Sequence, residues 1–245
     1  MKKTFGINSL QLKILAMVFM LCDHMWATII HGNDWLTCVG RLAFPIFAFQ
    51  IAEGYAHTHD AKAYRRRLLI WAMISEIPFN LMVGGGPIYP FHQNVMFTFW
   101  IALLVLDRME RAKAKGGKLR WIAYGVWPWA GFLFGFLGFT DYYGYGVLMV
   151  ISFALFRESK VLQFVIMAVI NVFWMKGLGY PVDFLGREWF IPQQAFAMLA
   201  LIPIWLYNGE QGPYNKTIRR VCYAYYPAHI LALVMIGTIA EFCLN

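Results

Sequence analysis

Charge is what this chain has least of. Only 14% of its 245 residues are Asp, Glu, Lys or Arg, against about 25% in an ordinary soluble domain. A water-exposed globular fold is thereby excluded, and 60% hydrophobic content with a mean hydropathy of +0.53 points to a polytopic membrane protein. Cysteine is scarce as well. Cys22, Cys38, Cys222 and Cys243 form no C-x-x-C pair and no Cys/His ligand spacing. A disulfide framework is therefore not indicated, no metal is expected, and the four are expected to be free, buried thiols. Internal repeats, low-complexity tracts and a separate soluble domain are also missing. Residues 1–245 are expected to form one integral membrane domain whose chemistry lies within the helix bundle. The net charge of +8 would suggest nucleic acid in a soluble protein; here the position of the charges decides, and no nucleic acid is expected. The start Lys2-Lys3 and the apolar run to Cys22 resemble a signal segment. That run continues through Trp26 to Ile30 without a small-residue cleavage site, so a retained helix is expected.

What the chain does have is apolar runs separated by polar turns. They predict an all-α, polytopic transmembrane helix bundle of about nine spans, at 9–30, 35–56, 67–83, 91–106, 121–139, 143–156, 161–175, 194–207 and 224–242. The sixth, seventh and eighth are short for a hydrocarbon core that takes roughly 17 residues or more to cross. Sidedness comes from the cations. With the N-terminus cytoplasmic and the C-terminus outside, only Lys176 and Arg187 of the 21 lysines and arginines fall in outer loops, while Lys13 and Arg41 lie within spans. Trp35, Trp121, Trp174, Trp189, Trp205 and Tyr207 sit near predicted span ends, where amphipathic rings favour the headgroup region. The segment 83–90 (VGGGPIYP) is expected to turn outside, and Pro128 to kink the fifth span. Together these features predict a multi-pass membrane protein in contact with membrane lipid.

Against that apolar background the polar residues stand out. Asp23 and His24 lie in the middle of the first span, where one Asp costs about 2.5–3.5 kcal/mol near the bilayer centre. Asp23 points about 100° away from His24 around the helix. Its natural partner is Arg41, which enters the second span from the same side, either as a clamp between helices or as part of a site. A neutral imidazole tolerates apolar surroundings and suits proton transfer near neutral pH. Lys13, eleven residues earlier, returns to within about 20° of the His24 face. Other spans add Glu53 with His57 and Thr58, Glu76 with Asn80, Asn94 with Thr98, Asp141 with Tyr142 and Tyr143, and Tyr225 with His229. Any one pair serves as interhelical glue. Six spans contributing polar residues point to a hydrated or ligand-filled centre. Arg65, Arg66 and Arg67 follow Glu53 and His57; they satisfy the topology rule and also make the best-placed cluster for a polyanion arriving from the cytosol.

Several stretches resemble the TraX family of bacterial membrane proteins: 12–24 (LKILAMVFMLCDH), 40–54 (GRLAFPIFAFQIAEG) with His57-Thr58, 67–80 (RLLIWAMISEIPFN), 94–98 (NVMFT), 141–146 (DYYGYG) and 226–231 (YPAHIL). The founding member is associated with N-terminal acetylation of conjugative pilin. The family is similar to membrane acyltransferases that use a cytosolic acyl-CoA, a bundle-lining histidine and an acceptor reached from the opposite side. The resemblance implies that His24 takes the place of that histidine, with Asp23 and Arg41 around it.

The expectation is an integral membrane acyltransferase using acetyl-CoA. Its phosphates would dock on Arg65, Arg66 and Arg67 with His57 and Thr58 nearby. His24 would serve as general base or as transient acyl carrier, with Glu76 or Asp141 orienting the imidazole. Asn80, Asn94 and Tyr142 are the candidate oxyanion donors, and His229 a further substrate contact. The acceptor is an amine or hydroxyl, on a pilin or an envelope component. Two alternatives stay open: a proton-coupled transporter, since intramembrane Asp, Glu and His also build proton relays, and a non-catalytic pilus or envelope assembly factor.

Overall fold

The computed structural model describes residues 6–175, 177–184 and 186–244; Lys2, Lys3 and Lys176, which enter the sidedness count, lie outside the described residues. In chain order the elements are α1 (Ser9–Thr28), α2 (Asp34–Gly40), α3 (Ala43–His57), α4 (Ala61–Gly84), α5 (Val95–Lys115), α6 (Gly117–Leu137), α7 (Tyr143–Leu155) and α8 (Lys160–Ala168). A π-helical turn (Val169–Trp174), strands β1 (Gly179–Phe184) and β2 (Arg187–Pro192), a 3-10 stretch (Gln193–Ala200), α9 (Leu201–Trp205) and α10 (Lys216–Leu244) complete the chain. The nine expected stretches all fall mainly on helix. Among the described residues four segments are long and apolar enough to cross a membrane: Ser9–Thr28, Asp34–His57, Ala61–Gly84 and Lys216–Cys243. Tyr143–Leu155, Lys160–Trp174 and Gln193–Trp205 are apolar but shorter.

Several boundaries differ from expectation, each for a local reason. The stretch 35–56 breaks at Arg41 and Leu42 into α2 and α3, because a proline at 45 cannot share a helix turn with the carbonyl four residues before it. Helix α5 starts at Val95 rather than 91 and runs on to Lys115, beyond 106. Its extension is laced by Asp107–Arg111 and Glu110–Lys113 pairs at 3.0 and 3.7 Å, and Gly116 and Gly117 with φ of 70° and 57° then turn the chain. Helix α6 passes through Pro128 without ending. The all-α expectation also missed a hairpin, in which β1 and β2 pair antiparallel with Val182 opposite Trp189 and Pro181 opposite Phe190. The four cysteines are free, yet only Cys38 is buried; Cys22 and Cys222 are half-buried and Cys243 is exposed.

Two compact units divide the chain, Met1–Gln50 with Phe156–Arg219 and Ile51–Leu155 with Arg220–Asn245. In the first, Asn8 caps α1 reciprocally with Gln11. Leu12, Ala16 and Met20 form its buried stripe, and α1 packs on α2, while Ile14 and Val18 face outward. In the second, α4, α5, α6 and α7 pack successively and α5 also meets α7. Their core holds Leu68, Phe79, Phe99, Leu103, Met149 and Phe153. Met73, Ile77, Leu133 and Phe134 lie on the outside, an apolar exterior of the kind that lipid covers.

Glycines let α6 approach α7. A Cβ at Gly131 would sit 2.7 Å from Val105 and 2.9 Å from Val147, and one at Gly144 would meet the Phe132 carbonyl and ring. Gly144→Ala is therefore expected to destabilise the protein by about 1–3 kcal/mol, lowering the thermal midpoint of the purified protein by several degrees. An unchanged midpoint would contradict this packing.

Candidate functional site

Asn94 organises the polar centre of the second unit. It is fully buried and caps α5, its Oδ1 accepting from the Met96 N–H at 3.0 Å. Its amide nitrogen donates to the Ala72 carbonyl at 2.8 Å and to Glu76 Oε2 at 2.5 Å, tying the start of α5 to the middle of α4. Both amide hydrogens are thus engaged, so Asn94 holds the site together and has none to offer an oxyanion. Asn80, one turn beyond Glu76, donates from Nδ2 to the Pro87 carbonyl at 3.1 Å and folds the glycine-rich connection back onto α4. The Asn80 Oδ1 and the Glu76 Oε1 are buried and accept no hydrogen bond among the described residues.

The connections before α5 and before α7 run side by side. Gln93 N–H donates to the Phe139 carbonyl and Asp141 N–H to the Gln93 carbonyl, both at 2.8 Å. Thr98 Oγ1 donates to the Asp141 carbonyl at 2.5 Å. Within this braced turn Phe139, Tyr142 and Tyr143 hold φ of 50°, 60° and 47°, left-handed backbone that costs about 1–3 kcal/mol per non-glycine residue. The strained turn presents Asp141 to His92, with Nε2 to Oδ1 at 3.4 Å. The ring stands edge-on to Phe79 at 5.2 Å and parallel to Tyr143 at 6.5 Å. The Tyr226 hydroxyl on α10 meets the Val95 backbone N–H and lies within electrostatic range of Asp141 and Glu76. Glu76 and Asn80 of the third expected span, Asn94 of the fourth, and Asp141 with Tyr142 at the start of the sixth therefore converge. His92 was missed. It falls in a turn, with no helical partner at i+4 to draw attention to it.

His92 lies in the connection before α5, outside the helices. Its hydrogen bond to Asp141 lifts its pKa above the ordinary 6.5, with the Asp141 and Glu76 charges adding to the rise and partial burial opposing it. On α10, His229 Nδ1 donates to the Tyr225 carbonyl at 2.6 Å and stacks on the Tyr225 ring at 4.6 Å.

In the first unit Asp23 Oδ1 accepts from Thr37 Oγ1 at 2.7 Å and lies 3.4 Å from Arg41 Nη2, which also donates to Thr37 at 2.9 Å. The expected Asp23–Arg41 pair exists, joined through Thr37. Gly40 permits it, since a Cβ there would collide with the Asp23 side chain. His24 is half-buried, and its carbonyl accepts from Thr28 Oγ1 at 2.6 Å.

The basic cluster is less open than its sequence suggests. Arg65 Nη1 pairs with Asp107 at 3.1 Å, an acid also held by Arg111. Arg67 lies over the Tyr64 ring at 5.7 Å, and Arg66 is exposed. His57 pairs with Glu53 at 2.9 Å, and Thr58 Oγ1 accepts from the Asp60 N–H at 3.4 Å.

The family described as TraX protein matches residues 9–237. The chain is 31% identical over 117 residues to the probable fimbrial assembly protein FimC, serogroup H1, of Dichelobacter nodosus, covering 43% of this chain and 48% of that one. It is 26% identical over 150 residues to Protein TraX of Escherichia coli (60% and 56%) and 27% identical over 160 residues to Protein TraX of strain K12 (64% and 60%). The aligned stretches thus span about half to three fifths of these relatives. No solved structure matches.

The His92–Asp141 pair carries a pH signature. A histidine gaining carboxylate partners on folding stabilises the fold fully below its unfolded pKa, and that contribution is lost as pH rises through the raised native value. The thermal midpoint is expected to decline as pH climbs from about 6.5, the unfolded histidine value, through the native one. Asp141→Asn should flatten that slope. An identical slope in the variant would show that the pair is not formed.

Proposed function

The chain belongs to the TraX family, and on that footing we propose that it is an integral membrane acyltransferase moving an acetyl group from acetyl-CoA to an amine or hydroxyl acceptor. The observation that supports this is the approach of His92 to Asp141 and Glu76 in an otherwise apolar second unit, where Glu76 Oε1 and Asn80 Oδ1 are buried and accept no hydrogen bond among the described residues. Acyl transfer needs a group to take the acceptor's proton and hydrogen-bond donors for the developing oxyanion. In this proposal His24 acts as general base or transient acyl carrier, positioned on α1 by the Asp23–Arg41 clamp. Asn80 and Tyr142 remain as oxyanion candidates, because both Asn94 amide hydrogens are engaged. Arg66 and Arg67 would meet the CoA phosphates first, and Arg65 would have to exchange Asp107 for phosphate. His57, Thr58 and His229 stay as flanking contacts, to donor and acceptor respectively. Nine spans, with the N-terminus cytoplasmic in a bacterial inner membrane, would leave the basic loops on the side that acetyl-CoA reaches.

A second reading, a non-catalytic assembly factor, is favoured by the likeness to a probable fimbrial assembly protein of Dichelobacter nodosus, and on it the acceptor would be only a binding partner such as a pilin. Purified protein in proteoliposomes, given radiolabelled acetyl-CoA and a synthetic peptide with a free amino terminus, separates the two. Transfer is expected with wild type and lost in His24→Ala, whose thermal midpoint should be unchanged. Arg66→Ala combined with Arg67→Ala should raise the KM for acetyl-CoA about tenfold with little change in kcat. A wild-type protein that binds the peptide and transfers nothing would favour assembly, and proton-driven solute uptake would favour a carrier.

A further inference from the structure

We propose that His92, backed by Asp141, is a general base that takes the proton of the acceptor during acyl transfer, with Glu76 and Asn80 receiving the acceptor's remaining hydrogens. This rests on the acyltransferase reading and puts His92, rather than His24, in the general-base role. Three observations carry it. First, the imidazole is oriented: Nε2 faces Asp141 at 3.4 Å, and the ring is confined by Phe79 and Tyr143. A carboxylate that accepts the Nε2 hydrogen fixes the tautomer whose Nδ1 carries the lone pair, and Nδ1 has no hydrogen-bond partner among the described residues. Second, the pair is reachable, with 31% of the His92 side chain and 28% of the Asp141 side chain exposed. Third, the orphaned Glu76 Oε1 and Asn80 Oδ1 lie on adjacent turns of α4. Buried acceptors without donors are costly, and an N–H or O–H group would satisfy them.

The backbone supports the same conclusion. Three non-glycine residues in left-handed conformation between 139 and 143 are an expensive way to build a connection, and what they achieve is the approach of Asp141 to His92. Strain of this kind concentrates where geometry is used.

The step balances. The acceptor's nitrogen or oxygen forms a bond to the carbonyl carbon of an acyl thioester. The carbon–sulfur bond breaks, its electron pair leaving on sulfur, and the N–H or O–H proton moves to His92 Nδ1. The thiolate then takes that proton and the neutral imidazole returns. The titratable and charged groups facing His92 are Asp141 from the turn, Glu76 from α4 and Tyr143 from α7, with Tyr226 of α10 near both carboxylates. The start of α5 contributes only the neutral Asn94 and Thr98. Two carboxylates beside one imidazole move its working range upward, which suits a base near neutral pH.

The test uses wild type, His92→Gln, Asp141→Asn and His24→Ala in proteoliposomes with radiolabelled acetyl-CoA and the same peptide, from pH 6 to 9. His92→Gln is expected to lower kcat about 100-fold or more, in the range usual for loss of a general base, with the KM for acetyl-CoA nearly unchanged. Asp141→Asn should move the inflection of the pH–rate profile to lower pH. Nitrogen-15 NMR of labelled histidines, with His92 assigned by its variant, should show the same downward shift in Asp141→Asn without any substrate. A His92→Gln protein with wild-type kcat and pH profile overturns the assignment and leaves the acyltransferase reading standing if His24→Ala is inactive. Should His92→Gln fail to fold, an Asp141→Asn profile and NMR titration identical to wild type overturn it instead. A wild type that transfers nothing overturns the acyltransferase reading, and this assignment with it.

Discussion

The second unit depends on a single amide. Asn94 ends one chain connection, starts α5, and reaches across to α4 through the Ala72 carbonyl and the Glu76 carboxylate. Each of these bonds answers the same constraint: in apolar surroundings a polar group without a partner is expensive. Once Asn94 is fixed, Gln93 is held against the 139–141 turn, and His92 is delivered to Asp141. The strain in that turn is tolerable because the backbone bonds between Gln93, Phe139 and Asp141, together with Thr98, over-determine it.

The first unit meets the same constraint by other means. Asp23, Thr37 and Arg41 satisfy one another across α1 and α2, and the missing side chain at Gly40 makes room for them. This clamp sits one residue from His24, so the imidazole's place on α1 is fixed by a neighbour that spends its own charge on structure. The basic face follows the same economy. Asp107 neutralises part of the cluster that topology demands, leaving Arg66 and Arg67 better suited to meet a polyanion than Arg65.

Much of this was legible in the sequence. Hydrophobic runs located the helices, because apolar length is the strongest signal a membrane chain carries. The Asp23–Arg41 pair followed from the cost of a lone carboxylate at membrane depth. Five site candidates from three spans converge because polar residues in such helices have few places to go. What stayed hidden depends on contacts distant in sequence. Asn94 looked like an oxyanion donor, since nothing local shows that its hydrogens go to residues 72 and 76. Arg65 looked free, since Asp107 lies more than forty positions away. His92 falls inside the expected span 91–106, but in the fold it sits in the turn before α5, where its partner Asp141 is distant in sequence. The hairpin at 179–192 lies in a segment too polar and too short to register against its apolar flanks.

Family membership, apolar helices and a carboxylate-backed imidazole beside a strained turn are the observations on which the acyltransferase proposal rests. The most direct measurement is a cryo-EM map of the protein in nanodiscs with a non-hydrolysable thioether analogue of acetyl-CoA. The account requires the nucleotide phosphates at Arg66 and Arg67 and the acyl carbon within hydrogen-bonding reach of an imidazole, at His24 or His92. A map in which the analogue does not bind at saturating concentration, or in which its acyl end lies remote from both rings, would contradict it.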